Sequence, residues 1–156
     1  MTAFQGAVHV YVLNSENNGW VQQASLTPSL SDDAKAFGEH FDLDGDTLVV
    51  GSYLQDYSNR TNAGAVFIFE RNGTEWTETA VLWSPKLAAH NKFGRYVNVR
   101  EHRIVVGIAG TAVEEIYTFV QCLDSTELPS GAGNPIHLTV SVGIVMLSLW
   151  IILGGA

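Results

Sequence analysis

Three carboxylates stand within five residues in the run Asp42-Leu43-Asp44-Gly45-Asp46. Hard cations such as Ca²⁺ want several carboxylate oxygens, so this run is the first place to look for a metal. Two features oppose that reading. The run lies between two strand-like stretches with room only for a turn. Fifty-six residues on, the matching stretch reads Asn98-Val99-Arg100-Glu101-His102-Arg103, where two arginines repel a cation. A hairpin turn is the better reading, and neither a cofactor nor a metal ligand is assigned. His9, His40, His90, His102 and His137 are scattered, with neither the i, i+4 spacing of a zinc helix nor an HExxH motif. The sequence contains no GxSxG elbow, P-loop or GxGxxG. Carboxylates are plentiful, but spacing alone selects no acid/base pair. No catalytic residue is assigned, and the chain is read as not an enzyme.

Cys122 is the single cysteine, so no disulfide forms within the chain. It reads as a small apolar residue, with a mixed disulfide or a palmitoylation site as alternatives. Asn59-Arg60-Thr61 and Asn72-Gly73-Thr74 are N-glycosylation sequons, both in expected loops. The net charge of −8 argues against nucleic acid, which needs clustered Lys and Arg. All eight Lys and Arg lie at or before Arg103, and no formal charge follows Glu127. The N-terminus has neither a basic n-region nor an apolar h-region, so it is not a secretory signal.

The elements that carry these residues repeat. Gly6-Ala7-Val8-His9-Val10-Tyr11-Val12 returns as Gly64-Ala65-Val66-Phe67-Ile68-Phe69-Glu70, an offset of 58. Trp20 returns as Trp76, Phe37-Gly38 as Phe93-Gly94, and Leu48-Val49-Val50-Gly51 as Ile104-Val105-Val106-Gly107, each at an offset of 56. Ordered landmarks at one spacing mark a repeat architecture. Val8, Val10 and Val12 alternate with His9 and Tyr11, the period-2 pattern of a strand. Asn18-Gly19 and Asn72-Gly73 favour tight hairpin turns. Trp20 and Trp76 open second strands. Phe37-Gly38 to Leu43 and Phe93-Gly94 to Val99 are read as third strands, with Thr47 to Gly51 as the fourth in the first copy. Four short strands in about 56 residues is the build of one propeller blade. A degenerate third copy starts at Ile116-Tyr117-Thr118-Phe119.

On Phe37-Gly38 with Gly64-Ala65-Val66, and Phe93-Gly94 with Gly6-Ala7-Val8, the chain resembles the FG-GAP family. These repeats build integrin α-subunit propellers and are found in many surface proteins. The resemblance covers residue 6 to about residue 119. It implies propeller blades belonging to a larger ring, so the chain reads as a fragment. In integrin-type repeats a DxDxDG loop binds Ca²⁺, and the objections above apply to that loop here. Two blades leave sheet edges unpaired, which predicts partial exposure of Phe37, Trp20 and their counterparts. Further blades or self-association are the expected remedies.

Residues 136–153, from Ile136 to Leu153, form an 18-residue stretch free of Asp, Glu, Lys and Arg. As a helix it spans about 27 Å, close to the hydrocarbon thickness of a bilayer. Trp150 sits near one end, as an interfacial residue would. Residues 128–135 are rich in Pro and Gly and mark a linker. The expected architecture is all-β, with two four-stranded antiparallel propeller blades and part of a third, followed by one transmembrane-type helix. Residues 1–121 hold the repeats (about 6–63 and 64–115, with a third start at 116–121), 122–135 the linker and 136–153 the anchor. A single-pass helix is the first reading. A GPI signal with attachment near Ser125 and a tail anchor are the others. The lipid bilayer is thus one expected partner, with the repeats extracellular or lumenal. The functional expectation is a membrane-anchored binding, adhesion or scaffold module for a protein or glycan. Residues 29–36 and 55–62 are the candidate contact loops. An enzyme-associated, hydrolase-linked propeller domain and a purely structural surface component are the alternatives.

Overall fold

The computed structural model describes residues 6–30, 35–101, 103–109, 115–120 and 141–144. Among the described residues every regular element is a strand, and all strand pairing is antiparallel. β1 (Val8–Leu13) and β2 (Trp20–Leu26) form a two-stranded sheet. A second sheet runs β3 (Phe41–Asp44), β4 (Thr47–Ser52), β5 (Ala65–Asn72), β6 (Glu75–Trp83), in chain order. A third runs β7 (Tyr96–Arg100), β8 (Arg103–Gly107), β9 (Glu115–Val120), β10 (Ser141–Ile144), again in chain order.

The sheets are half a repeat out of phase with the sequence copies. Each four-stranded sheet takes its first two strands from the end of one copy and its last two from the start of the next. In the third sheet β9 pairs with β8 as β5 pairs with β4: Val106 faces Tyr117 as Val50 faces Phe67. The repeat is also visible in the backbone. A register shift falls between Val10 and Tyr11 in β1 and between Ile68 and Phe69 in β5, 58 residues apart.

The middle sheet is buried on both faces. Leu48, Val50, Ala65, Phe67 and Phe69 pack with Val8, Leu26 and Phe37 on the side of the first sheet. Val49, Val66, Ile68 and Leu82 pack with Phe93, Val99, Ile104, Val106 and Tyr117 on the other side. Strands covered on both faces read as continuous apolar runs. That accounts for Leu48-Val49-Val50 and Ala65-Val66-Phe67-Ile68-Phe69. β1 is covered on one face and alternates instead.

Three expectations are corrected. Phe37-Gly38 and Phe93-Gly94 do not begin strands; they form turns ahead of β3 and β7, with φ of +83° at Gly38 and +85° at Gly94. The turn drops each phenylalanine into the space between sheets, which extended backbone would not do. Phe37 is therefore 3% exposed rather than partly exposed, whereas Trp20, at the outer hairpin, is 71% exposed. The transmembrane helix read across residues 136–153 does not hold at Ser141–Ile144, which pair as β10 with β9. An antiparallel partner there satisfies the backbone groups that a helix would satisfy internally. Among the described residues no helix is long and apolar enough to cross a membrane. The rest of that stretch, including Ile136 and Leu153, lies outside the described residues, as do the linker 122–135, Cys122 and Ser125.

The signature pieces meet in space. Gly64 and Phe93 form a parallel bridge. Phe37 packs edge-on against Phe67 at 5.4 Å, and Phe93 against Tyr117 at 5.9 Å. A Cβ on Gly64 would lie 2.1 Å from the Phe93 carbonyl oxygen, and one on Gly6 would lie 1.7 Å from that of Phe37. Glycine there is demanded by backbone against backbone. Gly45, in the β3–β4 turn, also has positive φ (+59°) but nothing within 4 Å of a Cβ. Gly45→Ala is thus expected to cost only the left-handed backbone penalty, about 1–2 kcal/mol. Gly64→Ala adds a collision to that penalty and should cost at least about 3 kcal/mol. Urea unfolding of the two variants tests the difference, and equal losses would refute the close-approach account.

Candidate functional site

The carboxylates of the 42–46 run go to different partners. Asp42 Oδ2 accepts hydrogen bonds from Asn98 Nδ2 (2.6 Å) and the Val99 backbone N–H (2.9 Å). Asp44 Oδ2 accepts from the Glu101 N–H (2.8 Å), with Arg100 Nη1 3.5 Å from Asp44 Oδ1. Asp46 turns away to Arg71 Nε (2.7 Å) within its own sheet. Among the described residues no three His, Cys, Asp or Glu side chains are grouped to hold a metal ion. Asp42 and Asp44 thus join the second sheet to the third. Glu39 extends the seam: its carboxylate accepts from Arg95 and from the Tyr53 hydroxyl (2.9 Å). The Arg95 guanidinium also lies 4.5 Å over the Tyr53 ring. The hydrogen bond from Arg95, then that from Tyr53, holds the Glu39 carboxyl below the usual glutamate value. Burial, then the bond to Glu39, pushes the Tyr53 phenol up.

A rule was hidden in the repeat. Glu39 pairs with Arg95, Asp42 with Asn98, and Asp44 with Arg100, in each case residues i and i+56. The first copy supplies acceptors and the second supplies donors at equivalent positions. Aligning the copies by charge rather than by apolar landmarks would have exposed this seam.

The two candidate contact loops converge at the end of the sheets where β2 runs to β3, β4 to β5 and β6 to β7. Residues 31–34 of the first loop lie outside the described residues. Lys35 Nζ is 2.7 Å from Asp56 Oδ2, tying the loops together. Asp56 Oδ1 accepts from the Asn62 N–H (2.7 Å) and so closes the second loop on itself. Burial alone would raise the Asp56 pKa. The bonds from Lys35 and Asn62, with the charges of Lys35 and His90, outweigh it and hold the carboxyl below the usual aspartate value.

Within this loop Tyr57 and Arg60 exchange both backbone hydrogen bonds (3.1 and 2.9 Å) across Ser58 (φ +50°) and Asn59 (φ +61°). Two positive φ values in a two-residue turn define a type I′ hairpin. Tyr57 stacks on Trp83 at 3.9 Å yet remains 42% exposed. The third connection docks beside it through His90 N–H to Thr61 O (2.8 Å) and Lys92 N–H to Asn62 O (3.0 Å). Ala36, Ser58, Asn59, Asn62, His90 and Lys92 all have positive φ, so six non-glycine residues at this end hold a conformation that L-residues seldom adopt. Such concentration is typical of constrained functional loops. The tip lines an open, mainly polar depression of about 550 Å³ between Asp56 and Thr61.

Among the described residues the histidines do not assemble. His9 and His90 are exposed, His40 packs its ring on Tyr96 (5.4 Å), and His102 and His137 lie outside the described residues. Asn59 and Asn72 are both exposed, at opposite ends of the second sheet. Phe37, Gly38, Gly64, Ala65, Phe93 and Gly94 form the buried joints between sheets rather than a site.

A family model described as FG-GAP repeat matches residues 20–69. The match runs from β2 through Phe37-Gly38 to Gly64-Ala65 and most of β5, and so contains both signature pieces. No curated protein matches the chain. The antiparallel sheets and this match support an FG-GAP-type repeat architecture over the matched residues.

A depressed folded-state pKa at Asp56 gives stability that is present above the ordinary aspartate value. It is lost as the pH falls from about 4 through the folded value. Asp56→Asn should lower stability by about 1 kcal/mol at pH 7, a cost that shrinks as the pH falls below the ordinary aspartate value. Urea midpoints across pH 3–7 measure this. Glu39 shifts in the same direction, so the variant keeps part of the acid sensitivity. A cost that stays constant with pH would reject the ion-pair account.

Proposed function

We propose that the chain is a non-catalytic binding or scaffold module that presents the loop end of its FG-GAP-type sheets to a protein or glycan partner. The observation that carries this reading is the built platform at residues 55–62. A type I′ hairpin is fastened by Lys35–Asp56 and by the Tyr57–Trp83 stack, while Tyr57, Ser58 and Asn59 stay exposed. A partly exposed aromatic over a polar depression suits the face of a sugar ring or a protein side chain, at low entropic cost because the loop is already fixed. The absence of an assigned acid, base or nucleophile is part of the proposal. Turnover that disappears on changing one carboxylate would favour an enzyme-associated propeller instead.

The binding test is an array of immobilised glycans and extracellular domains probed with the full chain. Binding should fall about tenfold or more in Tyr57→Ala, since exposed aromatic anchors carry much of a contact's energy. Trp20→Ala, at the far hairpin, should bind normally. Loss in Trp20→Ala with Tyr57→Ala unaffected would move the site elsewhere.

Membrane attachment and an outward-facing repeat region belong to the same proposal. They rest on the 18 uncharged residues 136–153 and on the sequon at Asn72, which lies at the end of the second sheet away from the Tyr57 platform. The pairing of Ser141–Ile144 in β10 speaks against a plain helical span. Alkaline extraction of expressed chain decides the matter. Attached chain should stay in the membrane pellet, and chain ending at residue 135 should not. Full chain released to the supernatant would retire the anchor and leave residues 141–144 with their blade role alone.

A further inference from the structure

The exposed ring of Tyr57 stands two residues from a glycosylation acceptor. Tyr57-Ser58-Asn59-Arg60-Thr61 carries the sequon Asn59-Arg60-Thr61 in the type I′ hairpin, and Asn59 and Thr61 are both exposed. Tyr57, Asn59 and Thr61 line the same open depression of about 550 Å³. Two residues of chain span at most about 7 Å. The turn shortens that path, because Tyr57 and Arg60 exchange backbone hydrogen bonds across it (3.1 and 2.9 Å). A sugar joined to Asn59 Nδ2 therefore starts within reach of the Tyr57 ring.

That ring has a face to offer. Trp83 stacks on Tyr57 at 3.9 Å with 23° between the planes, which takes one face. The exposure left, 42%, belongs to the second face and the edge. An aromatic face is negative, and it attracts the weakly positive C–H groups of a sugar ring. N-acetylglucosamine, the first sugar of an N-linked glycan, presents such a face through the axial hydrogens on C1, C3 and C5. The depression is mainly polar, which suits the hydroxyls of the same ring. Its volume falls in the range of ordinary small-molecule sites, roughly 300–1,000 Å³. The other sequon lacks this arrangement. Glu70, not an aromatic residue, stands two residues before Asn72. Across that hairpin Trp76 already carries the Arg71 guanidinium 5.5 Å over its ring.

We propose that Asn59 is a glycosylation site whose first sugar packs on the free face of Tyr57, and that this sugar closes the loop platform to outside partners. Only the closing rests on the reading of residues 55–62 as a binding platform. In the transfer, Asn59 Nδ2 bonds to C1 of N-acetylglucosamine on a polyprenyl diphosphate donor. The C1–O bond breaks, its electron pair leaves with the diphosphate, and the amide gives up one proton; the cell's transferase catalyses the step. The sugar and the turn support each other. Ser58 and Asn59 hold φ of +50° and +61°, and a contact made only by the folded hairpin offsets part of that strain.

The test uses the full chain, expressed in eukaryotic cells behind a cleavable secretion signal, purified in mild detergent and trimmed enzymatically to one N-acetylglucosamine per site. Thr74→Ala leaves Asn59 as the sole sequon, and Thr61→Ala leaves Asn72. Each is compared with the sugarless chain of the same sequence made in bacteria. Mass spectrometry should find Asn59 occupied. Nuclear Overhauser contacts should join the sugar protons to the Tyr57 ring protons. The sugar at Asn59 should lower the unfolding equilibrium constant about two- to tenfold in urea. The sugar at Asn72 should leave it unchanged. Tyr57→Phe should keep the gain at Asn59 and Tyr57→Ser should lose it; the Overhauser contact is read in the unaltered ring, so it decides the matter even if Tyr57→Ser fails to fold. On the array of immobilised glycans and extracellular domains, the sugarless Thr74→Ala chain should bind at least about tenfold more tightly than its glycosylated form. Asn59 left bare while Asn72 is occupied would overturn the proposal. So would an occupied Asn59 without contact to Tyr57, or equal gains at the two sequons. Equal binding by both forms would overturn the closing. A sugar lying on Tyr57 in a chain that binds nothing on the array, with or without the sugar, upholds the sugar site and sinks the platform reading. A sugarless chain that binds through Tyr57, with Asn59 bare in cells, does the reverse.

Discussion

Everything in this molecule follows from covering both faces of a β-sheet. The middle sheet has apolar side chains above and below, and no single layer can bury both. Phe67 and Phe69 need a neighbour on one side and Val49, Val66 and Ile68 need one on the other. The phenylalanines of the two Phe-Gly turns fill those gaps, Phe37 toward Phe67 and Phe93 toward Tyr117. Their turns sit so close to the segments that lead into β1 and β5 that a glycine is required there, at Gly6 and at Gly64. The signature of the repeat is therefore a description of the joint between sheets, not of any one sheet.

That joint has a polar side as well. Glu39, Asp42 and Asp44 meet Arg95, Asn98 and Arg100 across it, and two of the acids also accept backbone N–H groups from β7 or the turn after it. Hydrogen bonds to a carboxylate satisfy inner-strand amides that the ladder leaves over, which matters more than the charge itself in a seam open to solvent. The pattern gives the stack a direction, because acceptors lie on one member and donors on the other. Apolar packing alone would tolerate sheets in several orders; the charged seam distinguishes them.

The described residues of the loop end are tied together for a related reason. Three connections leave the sheets at the same end and must pass over the joints, and each is held by the next: Lys35 to Asp56, Thr61 to His90, Asn62 to Lys92. Positive φ at six non-glycine residues is the cost of these short paths. The product is a surface of mutually tied loops with Tyr57 at its edge.

Much of this was legible in the amino-acid sequence. Period-2 alternation, Asn-Gly turns and the 56-residue spacing specify an all-β repeat, because strand faces and turn conformations are local properties. Other features are not local. Which strands share a sheet depended on where the Phe-Gly turns dock, and so the blades fell half a repeat away from the sequence copies. The acids at 42–46 read as a hairpin turn in the sequence, but the partners of Asp42 and Asp44, 56 and 57 residues away, came into view only in the structure. The uncharged stretch 136–153 has the length of a membrane helix, yet Ser141–Ile144 pair with β9 because an open strand edge competes for the same backbone groups. Within the repeats, sequence alone determined most kinds of element and their period, since these follow from single residues and near neighbours. Tertiary structure decided the pairing, the seam and the loop platform, since hydrogen bonds and burial between distant segments are set only when the sheets stack.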